Sequence, residues 1–269
     1  MTKMSFKLAV SFLSILVILM MVSPWVGTDP LQQNVELILQ GPSLQHWFGT
    51  DTLGRDLFSR VLLGARISIF VGVVCAIVSA IFGFIYGAIA GWNDGGVDRV
   101  LMRVCDILMA LPSFILVAVL CLSLNLLLPL EEGIAKALIS LCVGICASHW
   151  MSMARVSRGM VQEILRKPYI EAAEALGATP WRILKQHVLP NMLSTLLVMM
   201  ALQVPANILY ESFMSFIGLG IHPPFTSWGI LVREGWKTLS SFPHLILFPS
   251  LILFLTVWSV HIVVDRLRH

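Results

Sequence analysis

The stretch YIEAAEALGATPWRILKQHVLPN, residues 169–191, is a charged and well-capped segment inside a chain that is otherwise strongly apolar. Pro168, just before it, suits the first turn of a helix, where its missing N–H has no intrahelical partner. Gly177 can adopt the left-handed conformation that ends a helix. Thr179 followed by Pro180 is typical of the cap and first turn of a second helix. The stretch therefore predicts two short helices that meet at a tight corner.

Each of these helices carries an apolar stripe that points away from its charged residues. The stripes are Ile170, Ala173 and Gly177 in the first helix, and Trp181, Leu184 and Val188 in the second. Helices this short are marginal alone in water, so the stripes must pack against something. Two interpretations stay open on this evidence: an ordinary elbow between two membrane spans, and a docking surface for a partner.

The rest of the chain has the composition of a membrane protein. Of its 269 residues, 57% are hydrophobic and 12% are charged, whereas an ordinary soluble domain has roughly 45–50% and about 25%. A bilayer span needs about 20 apolar residues. Six stretches meet that requirement, and they predict an all-α integral membrane protein with six transmembrane helices. The stretches are residues 8–26, 67–91, 104–128, 134–154, 191–217 and 244–264.

The first apolar stretch resembles a signal peptide, but SPWVGTDP follows it instead of a small-x-small cleavage site, so an uncleaved helix is favoured. We divide the chain into residues 1–66, which hold the first transmembrane helix and an outer amphipathic segment, and residues 67–269, a five-helix core. A cytoplasmic loop over residues 155–190 belongs to this core.

The distribution of basic residues predicts the orientation. If both termini are cytoplasmic, the cytoplasmic segments hold twelve of the 18 lysines and arginines, among them Lys3, Arg268 and six between Arg155 and Lys185. This bias agrees with the positive-inside rule. The helix pair is then cytoplasmic. The net charge is only +3 and no dense basic run occurs, so a nucleic-acid partner is not indicated.

Charges within the predicted spans are few, and this matters for the source of energy. Asp106 lies near the start of span three, Glu211 late in span five, and His149 near the cytoplasmic end of span four. Ion-coupled carriers keep acidic or histidine residues near the bilayer midplane. We interpret His149 as a packing residue and Glu211 as a structural cap or hydrogen-bond partner near the outer surface. A transporter of this composition takes its energy from elsewhere.

No catalytic or metal site is predicted. The chain lacks a G-x-x-x-x-G-K-[ST] phosphate loop, so it cannot bind ATP in that way. Cys142 and Cys146 would share a helix face, but no histidine or third cysteine completes a ligand set, and a packing role is favoured. None of the five cysteines is in CxxC spacing, which argues against a disulfide framework or a zinc site.

Two further features have both a structural and a functional interpretation. Pro112 should kink span three, either as part of a gate or as plain packing geometry. Asp51, Arg55 and Asp56, in the outer segment before span two, are available for local pairing or for docking of a solute-binding protein.

The helix pair resembles the cytoplasmic signature of permease subunits of binding-protein-dependent ABC importers. The matching residues are Glu171, Ala172, Ala173, Gly177, His187, Leu189 and Pro190, and His187 stands where the family usually has an aliphatic residue. Residues 48–68 and 211–229 resemble segments of the second permease subunit of the dipeptide, oligopeptide and nickel branch. The family commonly has a longer tail than VVDRLRH.

This resemblance implies a type I ABC importer permease fold in the bacterial inner membrane. It implies that Glu171 to Gly177 form a coupling helix seated in a cytoplasmic ATPase subunit. The implied partners are a second permease, two P-loop ATPase subunits that bind ATP and Mg, an extracytoplasmic solute-binding protein and membrane lipids. The cargo is di- or oligopeptides, with nickel or a metal chelate as the alternative. Peptide export and a self-sufficient channel or ion-coupled carrier are the further alternatives.

Overall fold

The computed structural model describes residues 3–26, 29–93, 95–131 and 133–267. Arg268, which the orientation argument counts, lies outside these residues. A 3-10 helix covers Val35–Leu37, and a π turn covers Leu184–Val188. The helices are α1 (Lys3–Val26), α2 (Leu57–Trp92), α3 (Gly96–Met109), α4 (Ser113–Leu127), α5 (Ile134–Leu165), α6 (Pro168–Ala175), α7 (Pro180–Ile183), α8 (Leu189–Ile217), α9 (Trp228–Trp236) and α10 (His244–Leu267).

Six crossings of a membrane can be built from these helices, which confirms the predicted fold class. Five are continuous helical stretches, and the sixth is the pair α3 and α4, which is bent by 89° at the break between the two helices. The 36 residues of α2 extend over about 54 Å at 1.5 Å per residue. The hydrocarbon core is roughly 30 Å thick, so α2 projects beyond it.

Two helices are longer than the apolar stretches that predicted them. The second span was predicted from residue 67, but α2 begins at Leu57, where the Asp56 carboxylate accepts a hydrogen bond from the Ser59 N–H at 2.8 Å. The predicted boundary between residues 66 and 67 therefore falls inside α2. The fourth span was predicted to end at residue 154, but α5 continues to Leu165. Apolar composition locates the part of a helix in lipid, and it misses polar turns that continue into water.

The centre of the bundle is the contact between α2 and α5. Gly83, Gly87 and Gly91 recur every four residues along one face of α2, against the backbone of α5. A Cβ atom on Gly87 would lie 2.2 Å from the carbonyl oxygen of Ala154. Small residues at this spacing let two membrane helices approach closely. One end of the bundle carries α6 and α7 and is called here the helix-pair end. The other end carries residues 29–56 and 218–243 and is called the opposite end.

Candidate functional site

The helix pair has the local geometry that the sequence predicts. Pro168 occupies the first turn of α6, and Gly177 ends the turn with a φ of +83°. The N–H of Ala178 donates to the carbonyl of Ala173 at 3.0 Å, which closes the end of the helix. Thr179 then caps α7 by accepting a hydrogen bond from the Arg182 N–H at 3.4 Å. The backbone at the corner is therefore fixed by hydrogen bonds within the segment.

Three aliphatic side chains anchor the pair to the bundle. Ile170 and Ile183 are each 1% exposed, and Val188 is fully buried; they pack with Met153 of α5 and Met192 of α8. The predicted stripe on the second helix is therefore wrong for Trp181, which is 70% exposed, while Ile183 is buried instead. The reason is the π turn, whose extra residue rotates the chain so that side chains five residues apart share a face.

The π turn also explains how Leu189 and Pro190 continue the helix. Pro190 has no N–H to donate to the carbonyl four residues before it, and its ring would crowd that carbonyl. The wide turn over Leu184–Val188 lies immediately before it, where the extra residue relieves this crowding. The helix thus enters α8 without a sharp break, with Leu189 partly exposed beside the anchored Val188.

The outward face of the pair is exposed and contains large apolar side chains. Glu171, Ala172 and Gly177 are all exposed, and Ala173 is half-buried. Leu176 is 90% exposed beside Gly177. Among the described residues, a Cβ on Gly177 would meet nothing within 4 Å, so it is the positive φ that calls for glycine at this position. Trp181 is also exposed, but it lines an apolar cavity of about 680 Å³ with Phe84 and Trp92 of α2. The corner at Leu176 is therefore the part of the pair that is open to a partner.

Pro112 lies at the break between α3 and α4. Its backbone is extended, with a φ of −57° and a ψ of 118°, and its carbonyl accepts the first hydrogen bonds of α4 from Ile115 and Leu116. The proline also disfavours a helical conformation at Leu111, the residue before it. The chain therefore turns by 89° here, a larger change of direction than the kink predicted from the sequence.

A cluster of polar side chains next to Pro112 was missed by the sequence argument. Ser113 and Tyr210 share a hydrogen bond of 2.5 Å between their hydroxyls, and the Tyr210 ring packs edge-on against His149 at 4.6 Å between ring centroids. Gln203 donates to the His149 carbonyl at 3.4 Å. His149 Nδ1 and Gln203 Oε1 are buried and have no hydrogen-bond partner among the described residues.

His149 lies in the middle of α5 and not near a helix end, because that helix extends beyond its predicted limit. Acidic and histidine side chains alone do not locate this cluster, which also contains serine, tyrosine and glutamine. Uncharged polar residues inside apolar stretches were the available signal.

Glu211 is fully buried within α8 and holds three elements together. Its carboxylate accepts hydrogen bonds from Ser68 of α2 at 2.6 Å and from Ser215 at 2.8 Å. The Ser68 hydroxyl in turn accepts the N–H of Trp228 at the start of α9, at 3.3 Å. The carboxylate therefore links α2 and α8 directly, and α9 through Ser68.

Asp51, Arg55 and Asp56 are buried and paired within the chain. Asp51 accepts from Arg55 at 2.7 Å and from Arg60 at 2.5 Å, and Asp56 pairs with His46 at 2.9 Å. Arg60, which sequence reasoning did not single out, is 1% exposed and also binds Glu234 of α9 at 2.6 Å. Their burial leaves these side chains little surface for a docking protein to contact. The network attaches the segment before α2 to α9.

Comparison with known proteins agrees with this arrangement. The profile of the family described as "binding-protein-dependent transport system inner membrane component" matches residues 83–269. The chain is 38% identical over 227 residues to the oligopeptide transport system permease protein OppC of Bacillus subtilis (strain 168), covering 84% of this chain and 71% of that protein.

Two other curated relatives are similar over comparable lengths. The dipeptide transport system permease protein DppC of the same Bacillus strain is 39% identical over 228 residues, which cover 84% of this chain and 68% of that protein. The glutathione transport system permease protein GsiD of Escherichia coli O157:H7 is 35% identical over 262 residues, covering 97% of this chain and 83% of that protein.

A solved structure supports the fold. A chain from the MetNI methionine ABC transporter in an inward facing conformation matches with a TM-score of 0.53 at 22% identity, covering 77% of this chain and 95% of that chain. The family match and the identities to curated relatives confirm the resemblance that the motif from Glu171 to Pro190 predicted. The chain therefore belongs to the family of inner membrane components of binding-protein-dependent transport systems.

Proposed function

We propose that this chain is a permease subunit of an ATP-driven importer that moves di- or oligopeptides across the bacterial inner membrane. The observation that carries the proposal is the anchored helix pair. Ile170, Ile183 and Val188 fix it to α5 and α8, while Leu176 is exposed at its corner. An anchored helix pair with an exposed apolar side chain at its corner suits a site through which a partner protein moves the membrane domain.

We assign the helix-pair end to the cytoplasm, with both chain termini on that side. The support is the excess of lysine and arginine in the segments at this end. With that orientation, residues 29–56 and 218–243 lie on the outer side, and the Asp51, Arg60 and Glu234 network stabilises the outer surface.

We further propose that Glu171, Ala172, Ala173 and Gly177 form the coupling helix of loop 155–190, within a five-span core over residues 67–269. A groove in a cytoplasmic P-loop ATPase subunit would receive this helix, and two such subunits would bind ATP and Mg. Leu189 and Pro190 would join the coupling helix to α8, so that its movement is transmitted into the span.

A second permease and an external solute-binding protein complete the proposed assembly. Large apolar side chains of α4 are exposed along its length, including Phe114, Val119 and Leu126, and they would face lipid or the second permease. Because Asp51, Arg55 and Asp56 are buried, we propose that they shape the outer surface on which the binding protein docks. Glu211 would stabilise the same surface from within the bundle by linking α2, α8 and α9.

The proposed pathway passes the polar cluster at Pro112. The break between α3 and α4 gives a short joint, and the hydrogen bond between Ser113 and Tyr210 closes it against α8. His149 and Gln203 present unpaired polar atoms beside this bond. A peptide backbone supplies both donors and acceptors for such atoms. We propose that opening at Pro112 exposes them to cargo.

The peptide class is proposed from the relatives, whose names refer to oligopeptides, dipeptides and glutathione. These compounds share peptide bonds, a free amine and carboxylates. Nickel or a metal chelate is the alternative cargo, and a self-sufficient channel or ion-coupled carrier is the alternative class. Direct uptake measurements distinguish peptide import, nickel import and transport by a channel or ion-coupled carrier.

The first test is mass spectrometry of what co-purifies with the tagged chain from mildly solubilised native membranes. We expect a P-loop ATPase and a second permease. The matched variants are Leu176→Ser on the helix pair and Leu44→Ser, an equally exposed leucine at the opposite end. Leu176→Ser should lose the ATPase and keep the second permease, whereas Leu44→Ser should keep both.

The recovered complex, with its binding protein, is then reconstituted and supplied with labelled dipeptide, labelled oligopeptide or nickel. ATP-dependent peptide uptake supports the proposal. ATP-dependent uptake of nickel and not of peptide would show that nickel is the cargo. Recovery of the chain alone, or uptake without ATP, contradicts the importer assembly itself.

A further inference from the structure

A cleft rich in arginine lies between α3 and α5 at the helix-pair end, away from the helix pair itself. Its volume is about 550 Å³. Four of its seven lining residues are arginines, and two are aspartates. The lining residues are Asp98, Arg99, Met102, Arg103, Asp106, Arg155 and Arg158.

The charges in this cleft do not balance. Arg158 donates two hydrogen bonds to Asp98, and Arg155 donates one to Asp106, so both carboxylates already have a cationic partner. The Arg99 side chain donates one hydrogen bond to the carbonyl of Gly95, the residue before α3, at 3.2 Å. Among the described residues no carboxylate forms an ion pair with Arg99 or Arg103. Among the seven lining residues, two positive charges are therefore in excess.

An apolar groove adjoins the same two arginines. A second cleft of about 450 Å³ is lined by Gly96, Arg99, Val100, Arg103 and Val104. The valines belong to an exposed apolar strip on α3 that also includes Val97 and Ile107. The arginines thus separate a polar cleft from an apolar surface.

The direction of α3 suits the membrane surface. Within the single crossing that the pair builds, α3 is bent by 89° from α4, so α3 runs along the membrane surface when α4 runs along the bilayer normal. An interfacial helix has an apolar face toward the acyl chains and basic residues at the headgroup level. The apolar strip and the two arginines give α3 this pattern, while Asp98 and Cys105 on its other side are buried within the bundle.

We propose that this cleft binds the headgroup of an anionic phospholipid, with Arg99 and Arg103 on the phosphate and an acyl chain along Val100 and Val104. A guanidinium binds phosphate through two parallel N–H donors, and basic pockets between membrane helices bind anionic headgroups. The apolar groove favours a lipid over a soluble anion or an acidic protein segment, neither of which would use it. The bound lipid would join α3 to the end of α5, from which the helix pair begins.

This inference does not depend on the cargo, and its test does not measure transport. The complex is purified, stripped of lipid and titrated with phosphatidylglycerol, phosphatidylcholine or soluble glycerol phosphate. Retained lipid is counted by native mass spectrometry. The test variant is Arg99→Gln/Arg103→Gln, and the matched control is Arg166→Gln/Arg266→Gln, which removes two exposed arginines outside the helix pair.

We expect phosphatidylglycerol to bind the wild type and the control more tightly than the test variant by about thirtyfold, as two arginines near a lipid surface imply. The single variant Arg103→Lys should keep more of the affinity than the double variant, because it keeps the positive charge. It should bind less tightly than the wild type, because it loses the second parallel N–H donor. The melting temperature of the lipid-free variant is measured first, and Arg103→Lys replaces the double variant if that variant is unfolded.

Three outcomes would overturn the proposal. Equal binding of phosphatidylcholine would assign the site to the apolar groove alone. Equal binding of glycerol phosphate would make it a site for soluble anions. Cross-linking of the Val100→Cys variant to another subunit and not to lipid would show that a protein covers α3.

Discussion

Replacing Gly177 with valine tests whether the corner of the helix pair transmits force. The φ of +83° places Gly177 in the left-handed region, and a Cβ there would meet nothing within 4 Å. The penalty is therefore conformational and not steric. It amounts to about 1–2 kcal/mol for an ordinary residue in this conformation, and a β-branched residue suits it less well. Such a penalty lowers the population of the native corner by roughly 5–30-fold.

The assay compares ATP hydrolysis with peptide uptake by the reconstituted complex. We expect Gly177→Val to insert and assemble, because Ile170 and Ile183 still anchor the pair, and to lose uptake per ATP hydrolysed by about 5-fold or more. Gly177→Asn should be milder, since asparagine tolerates the left-handed region.

The matched control is Gly159→Val in α5, an exposed glycine with a helical backbone and open space around it. It should couple normally. Uptake per ATP that is unchanged in Gly177→Val would refute the role of the corner, and an equal loss in both variants would trace the defect to something other than positive φ.

Three further predictions concern assembly and stability. Glu171→Lys puts a positive charge in the first turn of α6, where the helix dipole favours a negative one; the ATPase recovered by pull-down should fall, and full recovery would show that this carboxylate is dispensable. Arg60→Met removes the buried guanidinium that joins Asp51 to Glu234 and leaves these two carboxylates to share Arg55; it should destabilise the chain by about 3–5 kcal/mol, measured as a lower melting temperature, while Lys237→Met, at an exposed residue, should change little. Gly87→Leu forces α2 away from α5 and should cost at least about 1–3 kcal/mol; an unchanged melting temperature would mean that the helices separate freely.

The features that sequence predicted well are those set by neighbouring residues. Pro168, Gly177 and Thr179 determine backbone geometry through their own rings, φ values and side chains, so the corner at the helix pair follows from the local sequence. The six apolar stretches likewise predict six crossings, since about 20 apolar residues in a row have few other places to go.

The features that sequence predicted poorly depend on distant residues or on packing. The burial of Ile183 in place of Trp181 follows from a π turn, which no spacing rule predicts before the helix is packed. Asp51 looks like an exposed loop residue until Arg60 and Glu234 are brought beside it.

By itself, then, the sequence determined the all-helical membrane class, the apolar stretches able to cross a bilayer and the capped helix pair at Glu171, because hydropathy and backbone chemistry act over a few residues. The tertiary structure alone decided which side chains meet. It brings Ser113 to Tyr210 and Arg60 to Glu234 across 97 and 174 residues of chain. Contacts over such separations depend on how whole helices pack, and no local pattern records that arrangement.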